Sequence, residues 1–365
     1  MAVTRRRFLL AAGAAAVAPG CLGGSSTTPP ATTSTRPARL TGPLRVLASA
    51  DAVPDDNRVA FSSAHQGLAV DLQAARSGDS LIDLLSSGYA ADAVLARQDD
   101  VAVLGSLGLL RPLDHAAVPN LSLVDSSFLD LPFDRHNRWS APVRFGVYGF
   151  GYRRGLIAGT PIDWAGFFAA VPHSSLQGIT FLPGPIQPVA AALAALDEDI
   201  NTDDDSTLLR AQSLLLAARP HVNAFTNDPV TSFAGGELVL SMGTSASFDR
   251  ILGYPLRARD TAFVLPQGRS EMWISSWVVP LAARHPETAL AWIDAQLAPQ
   301  AAARAWASTH LPAPEPSARR ALPAAIRADP VADLDPAVVT RYQLSDVTPL
   351  GLQKRAEIWA RVIAG

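Results

Sequence analysis

The acidic run from Asp197 to Asp205 is the stretch of this sequence that most resembles a metal-binding pattern. Its carboxylates and one amide alternate, as oxygen ligands do at the start of a calcium loop. Such a loop needs glycine at its sixth position and glutamate at its twelfth, where this chain has Thr202 and Leu208. We therefore expect a solvated acidic loop whose Asp205 or Ser206 caps the following helix, with a calcium site as the alternative.

Catalytic motifs are missing from the rest of the chain. The Gly-x-Ser-x-Gly and Ser-x-x-Lys motifs of serine hydrolases do not occur. The glycines at 146, 149 and 151 lack the Lys-Ser/Thr ending of a phosphate loop. Histidines are scattered at positions 65, 115, 136, 173, 221, 285 and 310, without the spacing of metal ligands. The sequence therefore predicts a protein that is not an enzyme and that uses neither a metal nor a cofactor.

The amino terminus carries an export pattern. Thr4 to Leu9 fits a twin-arginine signal, and the apolar run that follows, up to Ala18, is too short to span a bilayer. Ala18-Pro19-Gly20-Cys21 then resembles a lipobox, in which the cysteine is acylated and the peptide is cut before it. We expect residues 1–21 to direct export and Cys21 to anchor the protein to the outer face of the cytoplasmic membrane. An uncut helix with an incidental cysteine is the alternative.

The composition of the remaining chain fits a folded body on a tether. Residues 22–42 are mostly Gly, Ser, Thr and Pro, which predicts a disordered tether. The chain has 365 residues, of which 48% are hydrophobic, enough for a sizeable core. Its 30 basic and 33 acidic residues give a formal net charge of −3, which gives no sign of nucleic-acid binding. Its single cysteine excludes a disulfide within the chain.

The segment from Leu131 to Arg153 divides the chain into two regions of different character. A polar turn at Asp134 to Arg138 leads into β-forming apolar residues that Pro142 and several glycines interrupt. Glycines in a strand mark places where it bends or where another backbone approaches closely. We predict a strand that crosses from one lobe to another, with an ordinary buried strand after a hairpin as the alternative.

Strands and helices alternate on both sides of this segment. Before it, the pattern predicts strands at 44–48, 68–72 and 92–96, with helices that begin near Asp79 or Ser80 and at Asp99. This alternation indicates a mainly parallel sheet covered by helices. After it, we expect helices at 188–196, 207–218, 286–297, 299–307 and 352–363, and strands at 237–242, 262–266 and 273–279.

Several short motifs, taken in order, resemble those of bacterial extracellular solute-binding proteins, most closely the spermidine/putrescine-binding family of ABC importers. The resemblance covers residues 43–363. The motifs that carry it are Pro132-Phe133-Asp134, Trp139-Ser140-Ala141-Pro142, Gly146, Gly151, Asn223-Ala224-Phe225, Gly236-Glu237-Leu238, Met242, Met272-Trp273 and Pro280. The family implies an α/β fold of the type II periplasmic-binding-protein kind, with two α/β lobes joined by crossing strands and a cleft between them.

The resemblance also implies how the chain is divided and what it works with. We expect one lobe from residues 43–148 and 275–316, and the other from residues 149–274 and 317–365. Ligand would be held in the cleft, and the lobes would close on it by a hinge motion. The implied partners are a small-molecule ligand, an ABC permease and the membrane through the lipid anchor, and the implied state is a monomer.

The candidate site follows from the same resemblance. Polyamine-binding proteins stack aromatic rings on the ligand's methylenes and hold its ammonium groups with carboxylates. Trp273 keeps the expected aromatic ring, whereas Ser275 stands where the family has an aspartate, and Thr244 stands where it often has tryptophan. The implied ligand-binding residues are Ser49, Asp51, Arg97, Asp99, Gln187, Thr244, Trp273 and Ser275.

The charges of these residues leave the ligand open. Asp51 and Asp99 are the carboxylates available to a polyamine, and Arg97 and Arg144 would oppose a cation. We expect a lipid-anchored solute-binding protein with a polyamine-like ligand. The alternatives are a smaller amine or an anion on the same scaffold, and a surface lipoprotein without a transport role. A hydrolase or transferase would need a nucleophile and a base in the cleft, and the sequence offers no such pair.

Overall fold

The computed structural model describes residues 40–74, 80–157, 159–173, 178–227, 238–252, 260–328, 334 and 342–365. The predicted export signal, Cys21 and nearly all of the predicted tether lie outside this range, as do Asp79, Gly236 and Glu237. None of the helices within it is long and apolar enough to cross a membrane.

Within the described residues, ten strands form one continuous sheet in the order β2-β1-β3-β9-β4-β7-β5-β6, with β10 beside β9 and β8 beside β4. Their bounds are β1 Leu44–Ala48, β2 Val70–Ala74, β3 Ala93–Arg97, β4 Ser140–Arg153, β5 Ile179–Phe181, β6 Ala224–Phe225, β7 Leu240–Thr244, β8 Thr261–Val264, β9 Glu271–Val278 and β10 Gln343–Leu344. Strands β1, β2 and β3 pair in parallel, which confirms the parallel sheet predicted from the βα alternation.

The helices cover this sheet at nearly the predicted positions. Ser80 Oγ accepts a hydrogen bond from the Asp83 amide at 3.2 Å, so Ser80 is the predicted cap. The helices are Asp55–Ala64, Leu81–Ser86, Gln98–Ser106, Trp164–Ala170, Ile186–Ala195, Asp205–Ala218, Ser245–Leu252, Pro286–Leu297, Pro299–Thr309, Ala318–Ala321, Ala324–Arg327 and Pro349–Ala364.

The acidic run that follows the Ile186–Ala195 helix supplies a cap one residue earlier than predicted. Asp204, not Asp205 or Ser206, accepts a hydrogen bond from the Thr207 amide at 2.8 Å. The prediction was wrong because the helix begins at Asp205, one turn before the apolar periodicity becomes visible. Hydrogen bonds from Ser206 and Thr207 lower the pKa of Asp204 to about 2.

Strand β4 crosses the molecule, as predicted. Residues Ser140 to Val147 pair with β9 in the first part of the sheet. Tyr148 to Tyr152 pair with β7 on one side, and Phe150 to Arg153 pair with β8 on the other. Buried Asp134 holds the turn before the strand, accepting hydrogen bonds from the Ser140 amide at 2.8 Å and the Ser140 hydroxyl at 2.7 Å. One continuous strand therefore joins the two parts of the sheet.

Each part of the sheet has its own hydrophobic core. The first core includes Phe128 and Phe145 with Trp277 and Trp292. The second core is built from Phe150, Trp164, Phe167, Phe181 and the Pro349–Ala364 helix, whose Trp359 packs into it. Separate cores on either side of one crossing strand are what two lobes require.

The chain returns to the first part of the sheet between the end of β8 at Val264 and the start of β9 at Glu271. Met272 to Val278 pair there, with β3 and β4 as neighbours, and Glu271 pairs with Gln343 of β10. The predicted lobe boundary at residues 274 and 275 falls within this strand. Near the carboxyl terminus, Leu334 and Tyr342 pack in the first core. The assignment of residues to lobes stays a prediction.

Candidate functional site

Strand β9 lies between β3 and β4 and sets the geometry of the candidate site. Ser275 of β9 pairs with Arg97 of β3 on one side and with Arg144 of β4 on the other. Residues directly paired across neighbouring strands project from the same face of a sheet. The three residues therefore form a row in which a small hydroxyl lies between two guanidinium groups, and we call it the arginine row.

Trp273 lies two residues before Ser275 and shares its face of the strand. It pairs with Gly146, and a Cβ atom added there would lie 2.7 Å from the indole ring. Glycine is thus needed at position 146 because the ring lies across β4. Trp273 packs with Tyr148, Ala246 and Leu311, and its Nε1 has no hydrogen-bond partner among the described residues.

Arg97 covers this tryptophan. Its guanidinium carbon lies 5.4 Å from the centre of the indole ring, within the range of a cation–π interaction. The side chain also pairs with Asp99, with Nε to Oδ1 at 3.3 Å, and donates to the Tyr148 hydroxyl at 3.4 Å. Burial opposes its charge, but Tyr148, Asp99 and Glu271 outweigh burial and raise the pKa of Arg97. The cation over Trp273 is therefore supplied by the protein itself.

Arg144 differs from Arg97 in lacking an ion pair within the described part of the chain. Its side chain is partly buried, and its Nε has no hydrogen-bond partner there. Burial lowers the pKa of Arg144 to about 10, and Arg97 contributes to the lowering, while Asp51 opposes it. A guanidinium in this position favours an anion beside it.

Glu271 is an acid at the opposite end of the same strand face. It is 3% exposed, and Gln187 donates to its Oε1 at 3.3 Å, whereas Oε2 has no partner among the residues described. Burial raises the pKa of Glu271 to about 7, although Arg97 and the hydrogen bond from Gln187 act in the opposite direction. Near neutral pH this carboxyl is poised between its neutral and charged forms.

The structure brings together five of the predicted site residues: Arg97, Asp99, Gln187, Trp273 and Ser275. Gln187 reaches Glu271 from the first turn of the Ile186–Ala195 helix, which begins two residues before the start predicted at residue 188. Pro188 lies within this first turn, where proline is tolerated because its missing amide hydrogen would have no partner there.

The other three predicted residues lie further from these contacts. Ser49 follows β1, and its carbonyl accepts from the Ala52 amide at 3.0 Å. Asp51 is exposed and meets the site through its electrostatic effect on Arg144. Thr244 ends β7 opposite Tyr148, and its Oγ1 accepts from the Ser247 amide at 3.2 Å, at the start of the next helix.

Sequence reasoning missed Glu271 and Tyr148 as members of this site. Strand alternation offered a signal for Glu271, since it lies two residues before Trp273 and so shares its face. Tyr148 gave no comparable signal, because its role depends on contacts with Arg97 and Trp273 from two other strands. Arg144 was recognised as a cation near the cleft but not as part of the site.

One cavity, of about 350 Å³, lies next to Arg97 and is lined by Gln98, Asp99, Phe133, Ile186 and Leu352. Another, of about 490 Å³, is lined by Met272 and Ile274, which alternate with the site residues and so lie on the other face of β9. In the part of the chain that the structure describes, no group of three or more His, Cys, Asp and Glu residues could hold a metal ion.

The chain has measurable similarity to known proteins, although no family model matches it. It is 26% identical over 249 residues to the spermidine/putrescine-binding periplasmic protein 1 of Haemophilus influenzae, covering 67% of this chain and 66% of that protein. It is 28% identical over 225 residues to a putrescine/cadaverine-binding protein of Pseudomonas aeruginosa, covering 58% and 62%. The alignments thus span slightly under two thirds of the length of these two relatives.

Solved structures extend the similarity over most of the chain. A spermidine/putrescine ABC transporter substrate-binding protein from Streptococcus pneumoniae superposes with a TM-score of 0.79 at 18% identity, covering 88% of this chain and 98% of that one. The Tp0655 lipoprotein of Treponema pallidum gives a TM-score of 0.77 at 21% identity, covering 87% and 98%. In sequence the chain thus resembles the spermidine/putrescine-binding proteins, and its fold is the two-lobed α/β fold of the type II periplasmic binding proteins.

Proposed function

We propose that this chain is the solute-binding component of an ABC importer, which captures a small ligand between its lobes and delivers it to a permease. The observation that carries the proposal is the cluster of Arg97, Trp273, Ser275 and Glu271 around β9, beside the strand that joins the two parts of the sheet. Gln187, from a helix that packs in the second core, contacts Glu271, so a ligand bound there would touch both lobes and its binding energy would favour the closed form. This role needs no catalytic group.

The relatives' names make a polyamine the leading ligand class. Two of them are named for spermidine or putrescine and for putrescine or cadaverine. Glu271 suits such a ligand, because a carboxylate attracts an ammonium group, whereas the Arg97 guanidinium already covers the indole of Trp273. A non-polyamine ligand, either a smaller amine or an anion, is the second candidate, and the two arginines beside Ser275 favour it.

Small molecules released from the purified mature protein test the proposal directly. Mass spectrometry of the released fraction should identify a ligand, and small-angle scattering should show a smaller radius of gyration when that ligand is added back. A protein that releases nothing and keeps its dimensions with every candidate ligand would instead support a surface lipoprotein without a transport role.

We also propose that the protein is exported and anchored through lipid on Cys21, and that it acts as a monomer. The twin-arginine run, the short apolar stretch and the polar tether support the anchor. Metabolic labelling with a lipid analogue should tag the wild type and not Cys21→Ser. Equal labelling of both would contradict acylation at this residue.

A further inference from the structure

One face of β9 carries opposite charges at its two ends. Glu271, Trp273 and Ser275 alternate along the strand, so all three project from the same face. Glu271 and Ser275 are four residues apart, which is about 13 Å along an extended strand. An acid therefore lies at one end of this face, the strand positions of the arginine row lie at the other, and between them is an indole ring that the Arg97 guanidinium covers.

At the basic end of this face, one of the two arginines has an acidic partner and the other has none. Arg97 is paired with Asp99, but Arg144 forms no hydrogen bond or ion pair with any described residue. Asp51, which favours its charge, is exposed and does not contact it. The Arg144 side chain is partly buried and its buried Nε has no partner, and a carboxylate would satisfy the guanidinium with the strongest hydrogen bonds that proteins offer it.

The acidic end has the opposite requirement. Glu271 is buried and uses one oxygen for Gln187, and its other oxygen has no hydrogen-bond donor in the described range. A buried acceptor of this kind favours a donor, and an ammonium group supplies both the hydrogen bond and the compensating charge. A second ammonium at the basic end would face two guanidinium groups, and like charges brought together inside a site are strongly unfavourable.

We propose that, unlike the polyamines for which the relatives are named, the ligand is a small linear zwitterion whose carboxylate binds Arg144 beside Ser275, whose ammonium group binds Glu271 and Gln187, and whose alkyl chain lies beside the Arg97–Trp273 pair. This inference rests on the proposed solute-binding function and names the ligand class of the same site. A site with an acid at one end and arginines at the other differs from a site for a diamine, which needs an acid at both ends.

Calorimetric titration with matched probes tests the inference. The probes are the zwitterions γ-aminobutyrate and ε-aminocaproate, with the diamine and the dicarboxylate of the same carbon number in each case. We expect one zwitterion to bind at least about 10-fold more tightly than its matched diamine and dicarboxylate, since each wrong end group places like charges together. Arg144→Gln and Glu271→Gln should each weaken zwitterion binding by about 10-fold or more, because each removes a charged hydrogen-bond partner.

Matched control variants show whether an affinity change requires the loss of charge at the site or follows from the loss of any charge on the protein. Arg111→Gln alters an arginine whose Nε donates to the Leu281 carbonyl, and Glu287→Gln alters an acid in the first turn of the Pro286–Leu297 helix. Both should leave zwitterion affinity unchanged. Thermal melts identify any variant that is unfolded, and Arg144→Gln should also lose its preference for the zwitterion over the diamine, which misfolding alone would not produce.

The outcomes separate this inference from the proposed function. If a diamine or a dicarboxylate binds best and closes the lobes, solute binding stands and the zwitterion is wrong. If the wild type binds neither zwitterion, the inference is likewise overturned, and release of another small molecule from the purified protein keeps the function. A protein that binds none of the probes and releases no small molecule contradicts both.

Discussion

Strand β9 has two halves that share one hydrogen-bonded ladder and differ in what they bury. In the half from Glu271 to Ser275, the face that carries Trp273 lies among Arg97, Arg144 and Gln187, while Met272 and Ile274 on the other face pack in the first core. In the half from Ser276 to Val278, Trp277 also packs in the first core. Within the second half, Trp277 is 1% exposed and packs edge-on against Trp292, with ring centres 6.1 Å apart. Burial is nearly complete in both halves, so exposure does not distinguish them.

The two halves differ in the free-energy cost of burying their side chains. Trp277 contributes apolar area and aromatic packing, which stabilise the folded state. Glu271 and Arg144 contribute ionisable groups with unsatisfied atoms, which oppose folding until something pairs with them. A strand that could have been apolar throughout thus keeps a polar half beside the cleft. The comparison predicts that changes in the two halves will affect different properties of the protein.

The largest expected effect is on stability, at Trp277. Trp277→Ala should lower the free energy of unfolding by roughly 3–5 kcal/mol, because it leaves a cavity in a close-packed core. Urea unfolding followed by circular dichroism measures this loss. Ligand affinity of the folded variant, measured at low temperature, should stay near the wild-type value. A stable Trp277→Ala protein with lost affinity would mean that the core half also forms part of the site.

The next effect concerns Glu271 and pH. Its carboxyl binds a proton more tightly in the folded protein, with a pKa of about 7 compared with the ordinary value of 4.5. Burying Glu271 therefore costs no free energy from its ionisation below about pH 4.5, where the carboxyl is protonated in both states. Above about pH 7, the full cost of burying the charged carboxylate lowers the free energy of unfolding. The free energy of unfolding should fall by about 3 kcal/mol across this interval, at ~1.4 kcal/mol per pH unit.

Glu271→Gln should remove this part of the pH dependence. The measurement is a set of urea unfolding curves between pH 4 and pH 8 for both proteins, with the difference taken at each pH. Taking the difference cancels the contributions of Asp100 and Asp134, whose pKa values burial also raises. Parallel curves for the two proteins would show that Glu271 is not held in a raised-pKa environment.

Ser275→Asp tests the arginine row from the opposite direction. A carboxylate at this position would pair with Arg97 and Arg144 and take the place proposed for the ligand's own carboxylate. Zwitterion affinity should fall by more than about 10-fold, and affinity for putrescine or spermidine should rise. Ser275→Asn, which is similar in size and uncharged, is the control and should not increase polyamine binding. If Ser275→Asp binds neither polyamine better than the wild type, position 275 does not select the ligand's charge.

Local sequence predicted most of the fold, whereas the contacts that make up the candidate site were only partly visible in it, and the reasons differ. The crossing strand was visible because β-formers and glycines alternate within one short segment, and the Pro286–Leu297 helix matched its predicted bounds. The arginine row was not visible, because Arg97, Arg144 and Ser275 come from three strands whose register is a tertiary property. Glu271 could have been found, since its alternation with Trp273 is local, but its pKa depends on burial that only the fold supplies.

The smallest expected effect is at Trp273, and it separates the two halves most directly. Trp273→Ala should weaken ligand binding by about 10-fold, or about 1.4 kcal/mol, because it removes the ring on which Arg97 lies and beside which the ligand's alkyl chain is proposed to lie. Its cost in unfolding free energy should be smaller than that of Trp277→Ala. Trp273 packs only against Tyr148, Ala246 and Leu311 among the described buried clusters, whereas Trp277 belongs to the first core.

Trp273→Phe is the matched control, since it keeps an aromatic face beside Gly146 and should retain most of the affinity. Titration calorimetry measures the ligand affinity of Trp273→Ala, Trp273→Phe and Trp277→Ala, and thermal melts measure the stability of the same three variants. If Trp273→Ala loses as much stability as Trp277→Ala and binds ligand normally, both tryptophans are core residues. In that case β9 has one function along its whole length, and the cleft must be sought on other strands.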